Sequence, residues 1–187
     1  MDVVQHLRIA ARANRLANRR LHAAMAPLSH DDFNAPRTSF FPSFAATLNH
    51  ILAVDLYYLD ALEGVPEMAA NYDAFVTAET IAELAPRQRA SDERLIAYCD
   101  RLLDADDPVA MDRGEGNVQR DRAGHVLAHL FMHQTHHRGQ AHAMLAGTSI
   151  KPPQLDEFLM PSDANLREAD MRELGWSERS VYGDRAS

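Results

Sequence analysis

Four stretches of helical periodicity, separated by breaks marked with Gly and Pro, constrain this chain more than any other feature. The first runs from about Val3 to Met25, with Pro27 and SHDDFNAPR forming the exit loop. The second begins near Pro42 or Ser43 and runs to Glu63, closed by Gly64 and Pro66. TAETIAELAPRQRASDERLIAYCDRLL is the third. Thr80 and Glu83 have capping-box spacing there, and Pro86 predicts a kink or a later start. The fourth spans about Asp121 to Ala146 and stops at Gly147. Before it, DADDPVAMDRGEGNVQRD has the composition of a turn-rich connection or small hairpin. Strand signals are otherwise scarce, so the expected class is all-α, a four-helix bundle. A short amphipathic piece at about Leu166–Leu174, ended by Gly175, belongs to a C-terminal appendage.

With 187 residues, 46% of them hydrophobic, the chain can close one sizeable core. Residues 1–165 are expected to form the bundle and 166–187 a tail within the same domain. No apolar run reaches the roughly 18 residues of a bilayer span, and the N-terminus lacks an apolar signal core, so the expected location is cytoplasmic and away from membranes. The single cysteine, Cys99, fits that reading and sits in an apolar pattern as a core residue. A net charge of −8 argues against nucleic acid as a partner. The row Arg8, Arg12, Arg15, Arg19 is expected to be a solvated face of the first helix.

HVLAHLFMHQTHHRGQAHAML, from His125 to Leu145, holds six of the ten histidines. Spacing of i,i+4 recurs there through crowding and identifies nothing by itself. Helical position discriminates better: Val126, Leu127, Leu130, Phe131, Met144 and Leu145 define an apolar side, and His133 and His137 fall on or beside it. His125, His129 and His136 lie on its flank, and His142 on the far side. An inward pair one turn apart is either two hydrogen-bonded core histidines or two ligands of one metal ion. A third ligand must come from another helix. His30 lies in a loop, while His6 and His22 share the first helix with its arginines, so burial favours His50 in TLNHILAVDLYYLDAL. No Glu-x-x-His pair exists for a di-iron carboxylate bundle, HExxH is missing, and no Gly-rich phosphate loop follows a strand.

The combination of ANRRLHAAMAPLSHDDF, SFFPSFAATLNHILAVDLYYLDAL and LFMHQTHHRGQAHAML resembles the DinB family of four-helix bundles over about residues 5–160. HQTHHRGQ is the most specific part. The resemblance implies a divalent metal ion, nickel or zinc, held by His50, His133 and His137, the same three residues that helical position and burial select. It also implies an up-down-down-up helix order, a homodimer, and a small-molecule substrate used with a low-molecular-weight thiol, as in the thiol S-transferases related to the family. Three neutral imidazoles leave an open coordination position, which suits an enzyme activating a thiol or water. The alternative is a metal-binding or stress-associated module without catalysis.

Several other residues carry expectations. Gln140, projecting from the His133 side, is a candidate hydrogen-bond partner for the site. Asp55 and Arg138 are expected to be partly buried and paired, with one another as one option. Gly139 suggests close approach of a neighbouring backbone. Phe40, Phe41, Tyr57 and Tyr58 are candidates to line the pocket mouth.

Overall fold

The computed structural model describes residues 2–183. The elements are α1 (Val3–Met25), α2 (His30–Asn34), α3 (Phe44–Glu63), α4 (Met68–Asp73), α5 (Ile81–Arg101), the strands β1 (Pro108–Asp112) and β2 (Val118–Arg122), α6 (Ala123–Leu145), a 3₁₀ turn (Pro161–Leu166), α7 (Glu168–Glu173) and α8 (Glu178–Tyr182). The all-α bundle is therefore correct, with one antiparallel hairpin inserted before α6. Among the described residues, no helix is long and apolar enough to cross a membrane.

The helix ends follow local chemistry. Asp2, Ser43 and Thr80 each accept a hydrogen bond from the backbone N–H three residues on, a contact whose loss typically costs about 1 kcal/mol. Gly64 closes α3 with φ 71°, a conformation open to glycine at little cost. Pro86 lies inside α5, which begins at Ile81 and runs on without a break. Glu83 Oε2 accepts from the Glu79 N–H, one residue before the expected capping-box partner. α6 has no side-chain cap. Its first amides instead donate to the chain before the hairpin, Ala123 to the Asp107 carbonyl and Gly124 to the Ala105 carbonyl. A Cβ on Gly124 would sit 3.1 Å from Ala105, so this glycine is where backbones meet closely.

The four long helices form a square in which α1 and α3 each pack on both α5 and α6. Contacts along the chain fix the directions. Asp55 meets Gln88 and Asp60 meets Arg94, so α3 and α5 run parallel. Arg12 reaches Asp100 while Asn18 reaches Asp92, so α1 and α5 are antiparallel, and the His50–His133 contact with Tyr58 beside His129 makes α3 and α6 antiparallel. The order is up, down, down, up, as the resemblance implied.

Two apolar clusters fill the two ends of the bundle. One gathers Leu7, Tyr57, Leu95, Leu127 and Leu130, the other Leu21, Phe33, Phe44, Leu84 and Leu145. Each fully buried leucine contributes roughly 1.5–3 kcal/mol of transfer free energy. Between the clusters lies a polar layer. Asp92 Oδ1 accepts from Asn14, Asn18 and Gln88. Gln88 also donates to Asp55 Oδ2, and Arg138 donates to the side-chain oxygens of Asn14 and Asn18. Asp55 and Arg138 are thus buried as expected, but they are bridged through amides and not joined directly. Burial pushes the Asp55 carboxyl up to about 7 and that of Asp92 up to about 6.

The arginine row is not a solvated face. Arg8 donates to the carbonyls of Cys99, Asp100 and Leu102, Arg12 pairs with Asp100, Arg15 is buried, and Arg19 pairs with Asp170 and Glu173. Arg20 binds Asp170 and Glu157, so this side of α1 anchors the C-terminal tail. The tail adds an apolar cluster of Leu16, Ala17, Phe158, Met171 and Val181. Gly175 ends its first helical piece with φ 68°, and α8 follows as an element the periodicity did not predict. The remainder of the expected tail, 184–187, lies outside the described residues.

Candidate metal centre

His50 projects from the middle of α3, and His133 and His137 from successive turns of α6. Because the two helices pack antiparallel, the three rings converge. His50 Nε2 and His133 Nε2 stand 2.9 Å apart, and one nitrogen from each of the three residues lies within 4.8 Å of the others. Ring centroids are 4.9 Å apart for His50 and His133, 4.7 Å for His50 and His137, and 4.5 Å for His133 and His137. Among the described residues this is the one cluster of three or more potential ligands drawn from His, Cys, Asp and Glu.

The donor set fits a divalent ion. Two nitrogens bound at about 2.1 Å to one ion can be at most about 4.2 Å apart; the 2.9 Å separation of His50 and His133 lies inside that limit, and the full set, within 4.8 Å, needs at most a small inward adjustment to share one ion. Ligand imidazoles must be neutral. Burial lowers the pKa of His50, with His137 adding to the effect. Burial, and then the neighbouring His137 and His50, take His133 down to about 4. Zinc and nickel both suit imidazole.

His137 is oriented from outside the cluster. Its Nδ1 donates to Gln140 Oε1 at 2.8 Å, while Gln140 Nε2 donates to His136 Nε2 at 3.2 Å. This chain leaves His137 Nε2 with its lone pair free. Hydrogen-bond partners behind a metal ligand generally act this way, fixing its tautomer and the plane of its ring. Gln140 thus serves His137 and not His133, the side from which its helical position has it project. His133 Nδ1 is enclosed with no partner among the described residues.

The other histidines do not join the cluster. His129 is 6.5 Å from His133 and stacks edgewise on Tyr58 at 5.4 Å. His125 bonds Asp121, His142 meets the Pro153 carbonyl, and His30 bonds Asp31. His22 corrects the burial argument. It is more buried than His50, and burial next to Arg138 and Arg15 lowers its pKa to about 3. It faces the polar layer from α1 and belongs to no group of three or more potential ligands among the described residues. Burial alone would therefore have selected a histidine outside the cluster.

Aromatic rings border the site. Phe41 packs on His50 at 4.4 Å and on His137 at 5.4 Å, with Phe40 against it, 77% exposed. On the His133 side a cavity of about 410 Å³ is lined by Tyr57, Tyr58, Tyr72, His129 and His133, with Arg113 from the hairpin loop. The Arg113 guanidinium lies over Tyr57 and Tyr58 at 5.2 and 5.6 Å. Arg113 and Tyr72 carry no periodic signal, since they lie in a loop and in the short α4. Cys99 is fully buried away from the histidines, and burial pushes its thiol up to about 12.

The DinB family pattern matches residues 4–178, which is nearly the full length. The chain belongs to the DinB family. A curated relative, Protein DinB of Bacillus subtilis (strain 168), is 23% identical over 154 residues, covering 76% of this chain and 87% of the relative. This DinB-family protein thus carries its histidine cluster on the two long helices whose motifs pointed to the family.

Proposed function

We propose that this protein is a metal-dependent enzyme that holds a nickel or zinc ion on His50, His133 and His137 and activates a thiol or water for attack on a small-molecule substrate. The observation that carries the reading is the convergence of three imidazoles that no fourth His, Cys, Asp or Glu among the described residues joins, the His136 ring beside His137 being held by Gln140. A divalent ion there supplies Lewis acidity, lowering the pKa of a coordinated thiol or water. The protein's own groups do the rest. Gln140 holds the His137 ring in register, Phe41 covers one side of the cluster against water, and the tyrosine-lined cavity beside His133 gives a substrate a place to lie. Arg113, stacked at that cavity's wall, offers a cation to an anionic substituent.

The test is purification without an affinity tag, identification of the metal by elemental analysis after dialysis, and a screen of low-molecular-weight thiols against electrophilic acceptors. His50→Ala and His137→Ala are expected to lose stoichiometric metal, and His129→Ala to retain it. Equal metal content in all three variants overturns the ligand assignment. Full metal loading with no turnover across the screen overturns the catalytic reading and leaves a binding module.

A further inference from the structure

On the side of α6 away from the histidines, α1 and α6 run parallel, and an open groove lies beside their contact. The groove, of about 680 Å³, is walled by Leu7, Ala10 and Ala13 on α1, by Phe131 and Gly139 on α6, and by Phe158 from the tail. Small side chains on facing helices ordinarily let backbones approach closely. At Gly139 they do not: a Cβ added there would meet nothing within 4 Å. The expected close backbone neighbour of Gly139 is therefore absent, and the missing side chain leaves open space.

Arg138 and Asn14 line the same groove. Arg138 is only 8% exposed, and of its nitrogens Nη1 alone finds acceptors among the described residues, the side-chain oxygens of Asn14 and Asn18 at 2.6 and 2.9 Å. Nε and Nη2 have no acceptor there, and neither is among the sealed, unpartnered atoms. Asp92 stands behind the two asparagines, and no carboxylate among the described residues pairs with the guanidinium. A second arginine in this chain shows what that edge is suited to hold: Arg167 grips Glu178 through its own Nε and Nη2, at 2.8 and 2.7 Å.

We propose that this groove is a second small-molecule site, which takes an amphipathic carboxylic acid with its carboxylate on the Nε/Nη2 edge of Arg138 and its apolar body along Leu7, Ala10 and Phe131. The volume falls within the usual range for ligand pockets, about 300–1,000 Å³, and the lining combines a mostly apolar wall with Arg138 as its one arginine, while the Asp156 carboxylate also borders the groove and is exposed to solvent. A planar carboxylate matches two parallel N–H donors. The site is separate from the histidine cluster and does not depend on the metal.

Calorimetric titration of the metal-free full-length protein with decanoate tests it, because no ion is then present to take the carboxylate. Decanoate is expected to bind at one site per chain, and decanol about tenfold more weakly, the loss corresponding to one charged contact. Gly139→Leu fills the open space, preserves the cooperative thermal melt, and is expected to abolish binding. Arg138→Met is expected to erase the preference for the acid over the alcohol. The proposal is overturned by the absence of decanoate binding up to millimolar concentration, or by binding that survives Gly139→Leu. It is equally overturned if the chain sediments as a dimer that Gly139→Leu dissociates while decanoate has no effect, which would give the groove to a second copy.

Discussion

Replacing Asp55 by Asn should change how stability responds to pH, by an amount the structure allows one to work out. Asp55 is 1% exposed. Its Oδ2 accepts from Gln88 Nε2 at 2.7 Å, while Oδ1 has no partner at hydrogen-bond distance among the described residues; the Gln134 amide beside it acts to lower its pKa. Burial, the largest cause, raises its pKa to about 7 in the folded chain, against about 3.9 when unfolded. The folded state therefore binds the extra proton between those values, and this group's contribution to stability is full below about pH 4 and declines as pH rises through 7. Integrating the linkage from pH 5 to pH 8 gives a loss of about 2–3 kcal/mol from Asp55. Asn cannot ionise, keeps an oxygen for Gln88, and removes this loss. His22 also titrates abnormally, but both proteins contain it; Asp92 shares Gln88 with Asp55 and helps raise the Asp55 pKa, so the loss of the Asp55 charge acts on Asp92 as well. Urea melts of wild type and Asp55→Asn at pH 5 and pH 8 should show the variant gaining about 2–3 kcal/mol on wild type over that interval. Parallel profiles, within about 0.5 kcal/mol of one another, would refute the argument that a buried carboxyl is ionised at a cost in this layer.

Three further outcomes follow from single contacts. Gln140→Leu removes the acceptor that orients His137 and should weaken metal binding about 10–100-fold in a chelator competition, while the melt of the metal-free protein changes little. Cys99 should not react with a thiol reagent in the native protein and should react fully in denaturant; native reactivity would contradict its burial. Arg167 is fully buried, pairs with Glu178 and donates to the carbonyls of Glu157 and Met160, so Arg167→Ala should cost about 2–4 kcal/mol. The change should also alter Trp176 fluorescence as the tail detaches from α1, and an unchanged spectrum and melt would count against that anchoring role.

The long helices are legible in the sequence because apolar residues recur at helical spacing and because Ser43, Thr80 and Gly64 mark their ends. The short pieces are less so: α2 buries one side chain, Phe33, in an otherwise polar string bounded by prolines. The inward pair on α6 can be picked out by angle, since His133 and His137 border the apolar stripe and their neighbours do not. The third member is harder. Hydrophobic periodicity treats Asn14, Arg15, Asn18 and His22 as outer residues of α1, whereas they face a polar layer inside the bundle. Periodicity has no means of seeing a core built from amides and charges. For the same reason it assigns Arg15 to solvent, and it offers Asp55 and Arg138 to one another when asparagines and Gln88 stand between them. Gly139 misleads because a missing side chain signals space, and the sequence does not say whether another backbone occupies it.

The hairpin between α5 and α6 is seated on the bundle through β1, whose Val109 and Met111 join the core, with Arg113 and the glycine-bordered turn at its tip over the tyrosine cavity. Its tip carries none of the packing that fixes the histidines, so changes of length or residue there reshape the chamber's roof and leave its floor intact. Chains that share this set of imidazoles can accordingly diverge in what they admit, by redrawing one short ribbon.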